Sequence, residues 1–273
     1  MSHGKGVPVT AHTLAVPDAR HAGHLPPTVN DPVPGSRSGI SLRILGSFEL
    51  NAGGHSIPLG ATSQRLLALI VLNSGRLPRS HAAGTLWPEQ RSARAAANLR
   101  SALWRLHQCC PDVVDASYHD LRLTPGVTVD LQHVSRVVHT LLDPTAELDS
   151  GELRDAIHAN LYDDIAPDIG ADDWLSAERE RFCQLRVHAL EALSHRLLRV
   201  GWHGAAVEAA LGATRADPFR ESAYHLLIAA HLAEGSRYEA RRHHAAYCAL
   251  LRTELGLTPS DEFMSLLDND RTS

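Results

Sequence analysis

The sequence predicts a mainly α protein in which a small α+β segment precedes an all-α helical array. Three observations predict it. Short apolar runs broken by glycine open the ordered part of the chain, three helix-like segments follow, and from Asp130 to the end the apolar positions fall at helical spacing. A length of 273 residues fits two folded segments, and a hydrophobic share of 44 % supplies their cores. Aromatics make up only 5 %, so packing must rest on Leu, Val and Ala.

Residues 1–39 hold six Pro, five Gly and four His without an apolar period, which predicts a disordered N-terminal tail. Leu42, Ile44, Phe48, Leu50, Ile57 and Leu59 lie in short runs punctuated by Gly46 and Gly53-Gly54, the pattern of two or three antiparallel strands. Ser63 to Asn73 reads as a buried helix closed by Gly75. Ser80 can cap a short second helix that ends at Trp87-Pro88. Ser92 to Gln108 reads as a third helix, stopping before Pro111. Val113-Val114, Leu121 to Leu123 and Val127 to Val129 follow, separated by turn-formers including Pro125-Gly126, and read as a hairpin. Strands, three helices and a hairpin are the order of a winged helix-turn-helix, expected over residues 40–129.

Residues 130–273 are expected to be helical throughout. Gly201 and Ala206 recur as Gly235 and Ala240, an offset of 34 residues, which is the period of tetratricopeptide helix pairs. Breaks at Gly201, Asp217-Pro218, Gly235-Ser236 and Gly256 to Pro259 separate the predicted helices. Leu185, Leu190, Leu193, Leu197, Tyr224, Leu227, Leu232, Tyr247, Leu250 and Leu251 are the expected core of this array.

Charge divides the chain. The net charge is −5, yet residues 40–110 carry eight Arg against Glu49 and Glu89, while residues 111–273 carry 15 Arg against 27 acids. The first block suits a polyanionic partner; the second does not. On a helical wheel Ala95, Ala96, Leu99, Ala102, Leu103 and Leu106 share the inward face of the third helix. Arg91, Arg94, Asn98, Ser101 and Arg105 form one stripe off that face, with Arg100 and Trp104 on its other flank. A helix in the major groove reads bases along one such stripe, with Arg contacting guanine, Asn contacting adenine and further guanidiniums holding phosphates. Arg65, Arg79 and Arg122 are expected to add to this DNA-binding set.

Several other classes lack support. Cys109, Cys110, Cys183 and Cys248 form no CxxC, so they read as reduced thiols of a cytoplasmic protein. No apolar run is long enough to span a bilayer, so no membrane partner is expected. No HExxH occurs, and His107, Cys109 and Cys110 have no second ligand pair, so neither a metal nor any cofactor is expected. His243 and His244 are expected as one core-edge and one exposed residue. No Gly-x-Ser-x-Gly occurs, and the acids Asp163-Asp164 and Asp172-Asp173 read as helix-capping partners rather than as catalysts. Trp174 reads as a packing residue. An enzyme is not expected.

Leu42 to Gly46, Gln64 to Leu69, Leu86-Trp87-Pro88-Glu89 and Asn98 to Leu106 resemble the winged-helix half of Streptomyces antibiotic regulatory proteins. Asp173-Trp174-Leu175 with Glu178 to Arg181, Asp217 to Ala223, His231 to Gly235 and Glu254 to Ser260 resemble that family's bacterial transcriptional activation domain. The resemblance covers residues 40–268. It implies an activator, here of secondary-metabolite genes such as those of antibiotic biosynthesis, whose protomers pair as a homodimer on direct repeats of double-stranded DNA and recruit RNA polymerase. The recognition helix would be Ser92–Gln108. The polymerase-facing loop would lie near Trp87–Arg91, with Trp87, Glu89 and Gln90 in contact. One departure stands out: the family usually carries Gly-Tyr in the wing turn, where this chain reads Tyr118-His119-Asp120, and an Asp there would repel phosphate. Larger relatives add an ATPase module, but this chain has no GxxxxGK[ST] and its only lysine is Lys5, which excludes a P-loop. The alternative is a protein-interaction scaffold that no longer binds DNA.

Overall fold

Ile40 and Leu42 point inward while Ser41 and Arg43 face solvent, which makes β1 (Ile40–Arg43) a strand of a half-buried sheet. The structure, a computed structural model, describes residues 39–170 and 172–267, so the tail expected over residues 1–39 lies outside it but for Gly39. β1 pairs antiparallel with β2 (Glu49–Ala52), and β2 pairs antiparallel with β3 (His55–Ile57). Gly53 and Gly54 make the tight β2–β3 turn with φ of +57° and +80°, a region closed to most side chains. The expected antiparallel strands are therefore present.

Three helices follow: α1 (Ala61–Leu72), α2 (Arg79–Leu86) and α3 (Ser92–Cys109). α1 buries Leu66 to Val71 in one unbroken run, because sheet and helices cover it on nearly all sides. Ser80 does not cap α2; that helix starts one residue earlier, behind Pro78, without a side-chain cap. Proline supplies the extended entry and has no N–H to leave unpaired. β5 (Val114–Ala116) and β6 (Asp120–Leu123) form the expected hairpin. A strand without a sequence signal, β4 (Arg76–Pro78), joins it to give the order β4-β6-β5. β7 (Thr128–Val129) leaves the wing and pairs in parallel with β1.

The C-terminal half holds α4 (Asp130–Leu142), α5 (Ser150–His158), α6 (Asp173–Arg199), α7 (His203–Ala216), α8 (Glu221–Glu234), α9 (Arg237–Leu250), a π-helical turn at Leu251–Leu255, and α10 (Asp261–Ser265). α7 and α9 start 34 residues apart and have 14 residues each, matching the period read from Gly201 and Gly235. Gly201 and Gly235 both have positive φ, and Ala206 and Ala240 are both fully buried. These glycines occupy the left-handed position that closes a helix.

Three expectations for this half need correction. The chain is not helical throughout: residues 159–170 are irregular, and Leu45 bridges Ile165 there in an antiparallel pairing. Arg179 donates to the carbonyls of Ile165, Ala166 and Ile169, holding this segment in place. Leu185, expected in the core, is 37 % exposed, because the long α6 is covered along one side only over its first half. Neither His243 nor His244 is fully exposed: His244 stacks on Phe263 and His243 on His231. Trp174 packs against the core as expected, although its indole N–H finds no acceptor.

One hydrophobic core runs from Ile40 through α1 and α4 to Ala230, across the expected boundary at residues 129 and 130. The seam is hydrogen-bonded as well as packed. The Asp130 carboxylate accepts from the backbone N–H groups of Ile44, Leu45 and Leu131. Ala166 N–H donates to Ile44 O at 2.5 Å, Gly46 N–H donates to Asp164 O at 2.9 Å, and Phe48 N–H donates to the Asp168 carboxylate at 3.0 Å.

Candidate nucleic-acid interface

α3 presents a divided surface because its apolar residues recur every three or four positions. Ala95, Leu99, Ala102 and Leu106 are buried against α1 and α2, while Ala96 and Leu103 sit at the margin. Arg91, Arg94, Arg100, Ser101 and Arg105 are exposed, and Asn98 is half-buried at the foot of the stripe. Arg91 closes the N-terminus of the helix, where Arg94 N–H and Ala95 N–H donate to its carbonyl. Ser101 Oγ donates to Ala97 O at 3.1 Å, which folds the hydroxyl back onto the helix and keeps that position low. Trp104 projects from the far flank and is 65 % exposed.

Among the described residues, Arg91, Arg94, Arg100 and Arg105 have no acidic partner within ion-pair distance. Most other arginines near the N-terminal half are engaged: Arg43 with Glu49, Arg76 and Arg122 with Asp120. Unneutralised guanidiniums held on one rigid helix face make a surface for phosphates and base edges.

Arg65 does not belong to that surface. Its guanidinium binds the Asp172 carboxylate twice, Nε to Oδ2 at 2.5 Å and an Nη to Oδ1 at 2.7 Å, and also donates to Leu86 O at 3.3 Å. The pair joins α1 to the start of α6 and engages the Arg65 guanidinium, unlike those of α3's exposed arginines. It also corrects the reading of Asp172, which sits at the N-cap of α6 but makes no capping bond. Asp164 likewise pairs with the buried Arg186 at 2.6 Å rather than capping a helix.

The wing is differently charged from the sequence-level expectation. Asp120 lies between Arg76 at 2.8 Å and Arg122 at 3.7 Å, and the Arg76 hydrogen bond holds its carboxyl below the usual range. Flanked by two cations, it repels a polyanion far less than a bare carboxylate. Arg76 is thus a wing residue that sequence reasoning missed; its spacing from Arg79 was the available signal. Tyr118 stands at the tip, 89 % exposed, with His119 edge-on to it. Arg79 donates to Ser117 O at 3.2 Å and its N–H donates to His119 O, so it ties the start of α2 to the wing turn. Between α2 and α3, Trp87 is half-buried against the core while Glu89 and Gln90 are exposed.

One group of potential metal ligands occurs among the described residues: His231, Glu239 and His243, far along the chain from α3. No described helix is long and apolar enough to cross a membrane.

A winged helix with an arginine-bearing third helix, fused to stacked helix pairs, is the build of a transcription regulator. The description "bacterial transcriptional activator domain" fits residues 130–269, about half of the chain, and the protein belongs to that family, as its resemblance to Streptomyces antibiotic regulatory proteins implied. The family regulates transcription rather than catalysing a reaction. Among solved structures, Mycobacterium tuberculosis EmbR, in complex with a low-affinity phosphopeptide, is similar in fold, with a TM-score of 0.65 at 19 % identity over 85 % of this chain. The match spans 65 % of the EmbR chain. No curated protein matches the sequence.

Proposed function

We propose that this protein is a sequence-specific DNA-binding activator that docks α3 in the major groove. The observation that carries the reading is the stripe of Arg91, Arg94 and Arg105, with Arg100 on its other flank, all exposed and without acidic partners among the described residues, on a helix that buries its apolar face. On any duplex Arg91, Arg94, Arg100 and Arg105 neutralise phosphates, with Arg79 and Arg122 beside them; on the cognate site Arg94 and Asn98 also serve as base readers, bordered by Ser101. Residues 40–129 act as the DNA-binding unit and residues 130–273 as the activation unit. Trp87, Glu89 and Gln90 present the α2–α3 loop to RNA polymerase, and two protomers occupy a direct repeat at a promoter, in line with the family's role in activation. Secondary-metabolite genes are the expected targets, and the cytoplasm the expected compartment.

Selection from random duplexes followed by mobility shift tests this. An enriched motif is expected, and Arg94→Ala or Asn98→Ala should each cost about 1–3 kcal/mol and relax one base position. No enrichment at low salt, or both variants binding the motif like the parent, refutes the assignment.

A further inference from the structure

The turn between α8 and α9 brings three metal-ligand side chains together. α8 ends at Glu234, Gly235 takes φ +87°, and α9 begins at Arg237. Ser236 N–H donates to His231 O and Gly235 N–H to Leu232 O, the paired bonds of a glycine-closed helix end. This short link sets the last turn of α8 against the first turns of α9. His231 therefore faces Glu239 and His243, which lie four residues apart on one face of α9.

The imidazoles of His231 and His243 stack with centroids 5.3 Å apart and planes 8° from parallel. The ligand atoms of His231, Glu239 and His243 all lie within 4.8 Å of one another. His231 is 7 % exposed, and neither of its ring nitrogens has a hydrogen-bond partner among the described residues. A buried imidazole with two unsatisfied nitrogens carries a desolvation cost. Glu234 Oε2 stands 3.7 Å from His231 Nδ1, where a carboxylate can orient the ring of a ligating histidine. Arg242 holds the place of a cation, 2.6 Å from Glu239 Oε2 and 3.3 Å from His243 Nε2. Burial first, then the positive charge of Arg242, lowers the His243 imidazole below its ordinary value.

The geometry points to a binding site for a divalent transition-metal ion of the zinc type, with His231, Glu239 and His243 as ligands and the fourth position open. Two imidazoles and one carboxylate suit zinc, whose ligand distances of about 2.0–2.2 Å require the three side chains to close in by rotamer adjustment while Arg242 swings out. The ion would replace the Arg242 guanidinium, satisfy His231 and join α8 to α9.

The test is titration of the full chain with zinc chloride against a chromophoric chelator, with thermal melts in parallel. Cobalt chloride serves as a spectroscopic probe. The protein has 18 histidines, so the decisive quantity is the difference between variants. The parent should bind one ion and melt higher with zinc. His243→Ala and Glu239→Gln, both at partly exposed positions, should weaken that binding by about 10–100-fold and lose the zinc-dependent rise. His231→Gln should do the same, and a fold check by circular dichroism accompanies it. The absence of a stoichiometric ion in the parent, or unchanged affinity in His243→Ala and Glu239→Gln, overturns the proposal.

Discussion

Replacing Arg65 and replacing Arg105 should have opposite signatures, although both lie in the basic block and both were expected to touch DNA. Arg91, Arg94, Arg100 and Arg105 have no acidic neighbour within ion-pair distance among the described residues, so each can neutralise a phosphate. Each such contact contributes about 0.9 to the slope of log affinity against log salt, so the four give about 3.6 per protomer. Between 50 and 200 mM salt that amounts to roughly a hundredfold loss of affinity. Arg105→Ala should lower the slope by about 0.9 and leave the melting temperature unchanged. Arg65 is already bound to Asp172 through two hydrogen bonds, and both side chains are about a quarter exposed. Arg65→Ala should leave the slope alone and cost about 1–2 kcal/mol of stability, the partial exposure keeping the figure low. At roughly 2–4 °C per kcal/mol, the melting temperature should fall by a few degrees. Fluorescence anisotropy on a random-sequence duplex at several salt concentrations, with thermal melts of the same samples, reads both quantities. The reasoning is refuted if Arg65→Ala takes about one unit from the slope and melts like the parent, or if Arg105→Ala does not change the slope.

Asp130→Ala should destabilise the protein by about 2–4 kcal/mol in urea denaturation, because the N–H groups of Ile44, Leu45 and Leu131 lose their shared acceptor inside the seam. Burial raises the Asp130 carboxyl above its usual range, and Asp130→Asn keeps one acceptor oxygen, so the amide should be clearly milder; equal losses would contradict the hydrogen-bond account. Burial pushes the Tyr247 phenol up to about 12, while its hydroxyl donates to Phe219 O at 3.0 Å. Stability should therefore be indifferent to this group below pH 10 and fall between 10 and 12, where the unfolded chain ionises and the folded one does not. Tyr247→Phe should remove that part of the alkaline decline, and a Tyr247 signal titrating near pH 10 in the folded protein would refute the burial argument.

What the sequence revealed followed the range of the interactions. Local periodicity placed α3 and its arginine stripe, and glycine spacing placed the α7 and α9 repeat, because helical faces and helix ends are written within a few residues. β4 has three residues, one of them Pro78, and too little alternation to register as a strand. β7 pairs with β1 across 87 positions, and Arg65 meets Asp172 across 107; no local pattern announces either. Leu185 misled because apolar spacing reports a helical face without saying how far the neighbouring helices cover it. Glu239 and His243 carried the one local signal for the ligand cluster, a separation of four residues, but the third member comes from another helix.

The hydrogen-bonded seam sets where this protein can be cut and rejoined. A chimera that stops at Val129, where the expected boundary falls, would sever the Asp130 clamp, leave Ile44 without the N–H of Ala166, and strip Arg65 of its counter-ion. A transplantable reader head must therefore carry the chain onward through Asp172, so the junction belongs inside the helical array rather than ahead of it.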